Sequence, residues 1–125
     1  MAKRAVSTNT VATPVGPFSL AIVDDGRVYT SGQIAQDAAT GKLIDGGVAT
    51  QTAQAIANVE AVLAAAGKSL ADVLKVNVYL TDMKNFAEMN QIYAERFPAP
   101  YPARTTVAVA GLPLGAAVEI EVIAK

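Results

Sequence analysis

The chain has 125 residues, 52% hydrophobic and 17% charged, a composition that buries a core without staples and lies far from that of disordered segments. The formal net charge is -1 and the lysines and arginines are scattered, which excludes the dense basic footprint of a tight phosphate-backbone binder. With no histidine and no cysteine, imidazole bases, thiol nucleophiles, disulfides and the usual transition-metal sites are unavailable, so arginine, carboxylates, hydroxyls, amides and backbone groups must carry any chemistry.

Lys3 and Arg4 precede Val6-Ser7-Thr8-Asn9-Thr10, which is too polar for the apolar core of a signal peptide. No window approaches transmembrane length. The expectation is one domain over residues 1–125, soluble and cytoplasmic, with neither a membrane nor a nucleic acid as partner. Residues 18–23 and 27–32 are β-rich runs flanking Asp24-Asp25-Gly26, a hairpin signal. Residues 37–47 carry the breakers Thr40-Gly41 and Gly46-Gly47 and read as loop. Over 48–66 the pattern is helical: Thr52, Ile56, Val59, Leu63 and Ala66 form one apolar stripe, and Gly67 stands where a helix ends.

Ser69-Leu70-Ala71-Asp72 has the form of a capping box over a single turn. Residues 73–80 read as a strand with Leu74, Val76, Val78 and Leu80 on one face and Lys75, Asn77 and Tyr79 on the other. A second helix follows, with Asn85 and Glu88 as its cap pair and Phe86, Met89, Tyr93 and Phe97 as its stripe. Pro98, Pro100 and Pro102 stiffen the exit. Residues 104–110 and 117–124 read as closing strands joined by Leu112-Pro113-Leu114-Gly115, a hairpin-like connection that permits them to be neighbours.

Parity places Val118, Ile120 and Val122 opposite Glu119, Glu121 and Ile123, and Val107 and Val109 opposite Arg104, Thr106 and Ala108. Two amphipathic helices covering the dry face give an α+β two-layer domain. The mixed face, read as carrying Arg104, Glu119, Tyr79 and Ile123, then suits a subunit interface with a site built into it. Arg104, on a proline-stiffened entry among short side chains, suits a preorganised clamp for a carboxylate or phosphate. Glu119 on a neighbouring strand could orient or deprotonate water, although Glu121 has the same parity and periodicity does not choose between them. Gly32 in Thr30-Ser31-Gly32-Gln33 reads either as a bulge or as a close approach to a ligand, with the Ser31 hydroxyl or a main-chain N–H as donor. Asn90 borders the apolar stripe of the second helix. Phe18 is either a core aromatic or the lip of a site.

These segments together resemble the Rid family, the YjgF-type reactive intermediate deaminases. The resemblance runs through Val15-Gly16-Pro17-Phe18, Thr30-Ser31-Gly32-Gln33-Ile34, Asn58-Val59, Val78-Tyr79-Leu80-Thr81-Asp82, Asn90, Pro102-Ala103-Arg104 and Val118-Glu119-Ile120-Glu121. It implies a chorismate-mutase-like fold, a mixed sheet with two helices on one face. It also implies a homotrimer with sites at the subunit interfaces, and hydrolysis of 2-imino acids to 2-oxo acids and ammonia without metal or cofactor. In that scheme Arg104 holds the substrate carboxylate and Glu119, rather than Glu121, activates water. Ser31 and Gly32 line the pocket, Thr106 contacts the imine end through its backbone, and Asn90 and Phe18 face the site. Phe18 stands where many members have Tyr, Thr106 where many have Cys, and Gly111 where Arg is common. The alternatives are a non-catalytic binder or chaperone for small carboxylates, and a ribonuclease or translation inhibitor. The acidic balance and missing histidine weigh against the last.

Overall fold

A computed structural model describes residues 2–125. It shows one six-stranded mixed sheet in the order β1-β2-β3-β6-β4-β5, with two helices packed on one face. Its strands are β1 (Arg4–Val6), β2 (Ala21–Asp24), β3 (Arg27–Thr30), β4 (Val73–Leu80), β5 (Ala103–Ala108) and β6 (Val118–Ala124). Helix α1 spans Val48–Ala65 and α2 spans Phe86–Arg96. The expected hairpin is present: β2 and β3 pair Asp24 with Arg27 across Asp25 and Gly26, both at positive φ (51° and 76°). Such a two-residue turn matches the strand twist and explains why Asp-Gly stands there.

Helix α1 buries Thr52, Ile56, Val59 and Leu63 as the stripe requires. It ends in a Schellman motif: Lys68 N–H donates to Leu63 O at 2.9 Å and Gly67 N–H to Ala64 O at 3.0 Å, with Gly67 at φ 76°. Against this stripe lie Val76 and Val78 of β4 and Val118, Ile120 and Val122 of β6, all at most 2% exposed. Each contributes about 1.5–3 kcal/mol by leaving water. Met89, Tyr93 and Phe97 supply the second helix's share, Tyr93 and Phe97 stacking with centroids 4.4 Å apart.

The structure corrects four expectations. Leu74 is exposed, because a register shift between Val73 and Lys75 turns it off the core face and Val73 takes its place. Asn85 makes no side-chain cap; Asp82 accepts from Lys84 N–H instead and starts a short 3₁₀ turn, Met83–Asn85, that runs into α2. The closing strands are not neighbours. β4 lies between them, pairing with β5 in parallel through the α2 crossover and with β6 antiparallel.

The fourth correction follows from that order. Arg104 pairs with Val76 and Thr106 with Val78, so both share the helix-covered face, while Val107 beside Tyr79 lies on the open one. The parity of β5 is as expected but its faces are exchanged. An apolar edge residue therefore sits outside and a guanidinium inside, where it runs up over α2.

A buried amide ties the 34–36 segment to α1. Asn58 Nδ2 donates to Ile34 O at 3.0 Å and Gln36 O at 3.1 Å, and its Oδ1 accepts from Gln54 at 2.9 Å. Asn58→Leu leaves buried acceptors in the 34–36 segment without their donor, which costs about 2 kcal/mol. The expected result is a Tm lowered by about 5–10 °C in a thermal melt.

Candidate functional site

Two clefts on the protomer divide the candidate residues. The first, about 390 Å³, holds Glu119 and Gly32 at one end and Phe18, Ile34, Pro113 and Leu114 along its walls. Its geometry begins with a bulge. β3 pairs Tyr29 with Ile123, and the ladder resumes only as Gln33 opposite Ile120, with both backbone bonds made (2.8 and 3.0 Å). One strand therefore carries an extra residue. The Thr30 hydroxyl fills the gap by accepting from Val122 N–H at 3.0 Å.

Gly32 falls in this bulge, against the Glu119 side chain. A Cβ on Gly32 would stand 2.7 Å from Glu119 Cδ and 2.9 Å from its Cγ, so the carboxylate occupies the space that any larger residue would take. The bulge reading of Gly32 is borne out, and the close approach the glycine makes here is to Glu119. Gly32→Ala must swing the Glu119 stem aside. If Glu119 serves as the base, a displacement of that size lowers kcat by about 100-fold while the fold survives. Steady-state rates beside a far-UV spectrum check this.

Glu119 and Glu121 face the same way on β6, yet they are differently engaged. Tyr79 OH donates to the Glu121 carboxylate, and that bond, with burial and the nearby carboxylates, pushes the Tyr79 hydroxyl up to about 12. Glu119 lines the cleft, and burial first, then the charge of Glu121, hold its carboxyl above the ordinary 4.5. A carboxylate so placed has greater affinity for a proton and is a better base.

The second cleft, about 270 Å³, is lined by Asn90, Tyr93, Ala94, Tyr101 and Arg104. The Arg104 guanidinium carbon lies 4.5 Å from the Tyr93 ring centroid and 5.6 Å from that of Phe86. These cation–π contacts hold the guanidinium beside the two rings. Among the described residues the salt bridge formed is Lys84–Asp82, so Arg104 has no carboxylate of its own. The buried Tyr93 hydroxyl and Thr106 Oγ1 also lack hydrogen-bond partners. Burial raises the Tyr93 hydroxyl's pKa, partly countered by the Arg104 charge.

The structure thus groups Phe18, Gly32 and Glu119 in one cleft and Asn90 and Arg104 in the other, with Thr106 two residues beyond Arg104 on β5. Arg104 and Glu119 lie on opposite faces of the sheet. Ser31 joins neither group: its hydroxyl donates to Ser19 O at 2.6 Å and its N–H to Leu20 O at 2.9 Å, so both donors are spent on holding the loop. Tyr93, Tyr101 and Leu114 are lining residues that the sequence reading assigned to core or connection. Leu114 adopts φ 59° and ψ 17°, a left-handed conformation that costs a leucine about 1–2 kcal/mol.

Residues 8–125 match the sequence model of the family described as endoribonuclease L-PSP. The chain is 45% identical to a RutC family protein of Pyrococcus horikoshii over 122 residues, 98% of this chain and 97% of that protein. It is 40% identical to the 2-iminobutanoate/2-iminopropanoate deaminase of Homo sapiens over 98% of this chain and 89% of that one. A crystal structure from Yersinia pestis, assigned to the conserved Rid protein family, superposes with a TM-score of 0.95 at 41% identity, covering 98% of either chain.

Proposed function

The chain belongs to the Rid family, described in its sequence model as endoribonuclease L-PSP, and on that premise we propose that it hydrolyses 2-imino acids to 2-oxo acids and ammonia. The observation that carries the proposal is Glu119, a carboxylate whose proton affinity is raised by burial, set against Gly32 at the end of a mostly apolar cleft. A second copy of the chain completes the site. Within one protomer Arg104 and Glu119 are separated by the sheet, so a substrate spanning both takes its arginine from a neighbouring copy. The open sheet face, with Tyr29 40% and Val107 42% exposed, supplies the apolar area for such an assembly, which we take to be a trimer with three sites.

In this scheme Arg104 of one copy holds the substrate carboxylate in a two-pronged pair, fixing the imine carbon over Glu119 of the next. Glu119 accepts a proton from water as its oxygen bonds to the imine carbon, and the electrons of the C=N bond move to nitrogen. Glu119 returns that proton to nitrogen, giving a carbinolamine; it then takes the hydroxyl proton and passes it to the amine, so that the C–N bond breaks as the C=O bond forms and ammonia leaves. The balance is R–C(=NH)–COO⁻ plus water giving R–CO–COO⁻ plus ammonia. Imines hydrolyse unaided, so orientation and one base suffice for acceleration. Neither metal nor cofactor enters any step.

The test generates 2-iminobutanoate with a threonine dehydratase in the presence of semicarbazide, which competes for the imine. The protein should hasten 2-oxobutanoate release and reduce trapping; no acceleration overturns the proposal. An endoribonuclease reading lacks the cationic groove RNA requires, since the net charge is -1 and, among the described residues, Arg104 is the one cation lining either cleft.

A further inference from the structure

We infer, on the footing of the imine-hydrolysis reading, that Tyr79 is a positioning residue for that reaction: its hydroxyl tethers the Glu121 carboxylate beside Glu119, so that a fixed negative charge stands next to the base. The register sets this up. Tyr79 of β4 pairs with Glu119 and Asn77 with Glu121, so the Tyr79 ring rises from the row of Glu119 and its hydroxyl reaches the diagonal neighbour. Glu119 and Glu121 stand two residues apart on one face of β6, about 7 Å along the strand. Tyr79 donates to Glu121, and no donor among the described residues reaches Glu119. One carboxylate is held, and the other is free to take and return a proton.

A glutamate on an open strand face is spread over many rotamers unless something holds it. Tyrosine supplies the hold at low entropic cost, having two side-chain torsions of its own. Held there, the Glu121 charge joins burial in keeping the Glu119 carboxyl above the ordinary 4.5. A carboxylate that swings out acts through water and counts for less. The other titratable groups on this face do not substitute for the pair. Lys75 of β4 donates to Thr105 Oγ1 at 3.1 Å, on the side away from β6. Tyr29 of β3 pairs with Ile123, and Asp24, Arg27 and Lys125 lie farther still from Glu119. The facing residues of β5 are Ala103, Thr105 and Val107, and the cleft adds no titratable group besides Glu119. Arg104 of a neighbouring copy, in the assembly proposed above, meets Glu119 in every variant alike.

The test reads the acidic limb of kcat/KM for 2-iminobutanoate and, without turnover, the carbon-13 NMR titration of the Glu119 carboxyl. Tyr79→Phe removes one oxygen and keeps the ring. It should move both readouts downward by about 0.5 pH unit or more, and no further than Glu121→Gln moves them. In the Glu121→Gln background Tyr79→Phe should add nothing, because the hydroxyl acts through that carboxylate. Glu121→Asp leaves Tyr79 intact and the charge on β6, but withdraws it from the hydroxyl by one methylene, and should also move the limb downward. A limb that stays or rises in Tyr79→Phe, or that shifts equally with and without Glu121, overturns this inference and leaves the deaminase reading standing. So does an unmoved limb in Glu121→Asp, which decides the matter if Tyr79→Phe does not fold. A wild-type protein that fails to accelerate 2-oxobutanoate release overturns the deaminase reading itself, and the NMR titration then still shows whether the tether holds.

Discussion

Arg104→Ala should lower kcat/KM for 2-iminobutanoate by about 100-fold or more, the loss expected when a charge-assisted, two-pronged hold on a carboxylate is replaced by nothing and the substrate loses its orientation. The setting of Arg104 makes the loss specific. Its ring contacts with Tyr93 and Phe86 are worth about 1 kcal/mol each at a half-exposed site, so the variant melts slightly earlier yet folds. Arg104→Lys sharpens the test. Lysine keeps the charge and the stem but presents a point charge in place of a planar fork, so a carboxylate clamp recovers little while a general electrostatic role recovers most. Competitive inhibition by a 2-oxo acid gives the independent readout: affinity should vanish in Arg104→Ala with no covalent step involved. Retained inhibition would place the substrate carboxylate elsewhere.

Much of this architecture was legible in the residues. The Asp25-Gly26 turn, the α1 stripe with its Gly67 ending, and the alternation of β6 are local patterns, and the local physics that writes them also decides them. Pairing was not local. That β4 would separate β5 from β6 depends on a parallel crossover through α2, which leaves no mark in the short Leu112–Ala116 connection. Hence Arg104 was placed on the wrong face. Ser31 failed for a related reason: a serine beside a glycine at a strand end serves equally as a ligand donor or a loop clamp, and only the Ser19 carbonyl decides. Leu74 was lost to one bulge. Periodicity left Glu119 and Glu121 equivalent and only the resemblance separated them; the structure adds that Tyr79 engages Glu121 while Gly32 yields its space to Glu119.

Glu119→Gln should lower kcat by about 100- to 10,000-fold, the range a positioned general base contributes, while 2-oxo acid binding through Arg104 persists. Loss of both together would make Glu119 a structural residue; loss of neither would shift the base to Glu121. The sign of the pH dependence follows from the carboxyl's raised proton affinity. The ionised form is the base, so activity is present above the raised value and lost as pH falls through it, giving an acidic limb above the ordinary 4.5. Glu121→Gln removes the neighbouring charge and should move that limb downward. Because Arg104 and Glu119 lie on opposite faces of one protomer, the two dead variants also test the assembly directly. Co-expressed in equal amounts and randomly assembled, Arg104→Ala and Glu119→Gln chains regain about a quarter of wild-type sites if each site joins two copies, since each partner is intact half the time. A site contained within one chain would regain none. Recovery would therefore establish both that the two residues act together and that they do so across the boundary between copies.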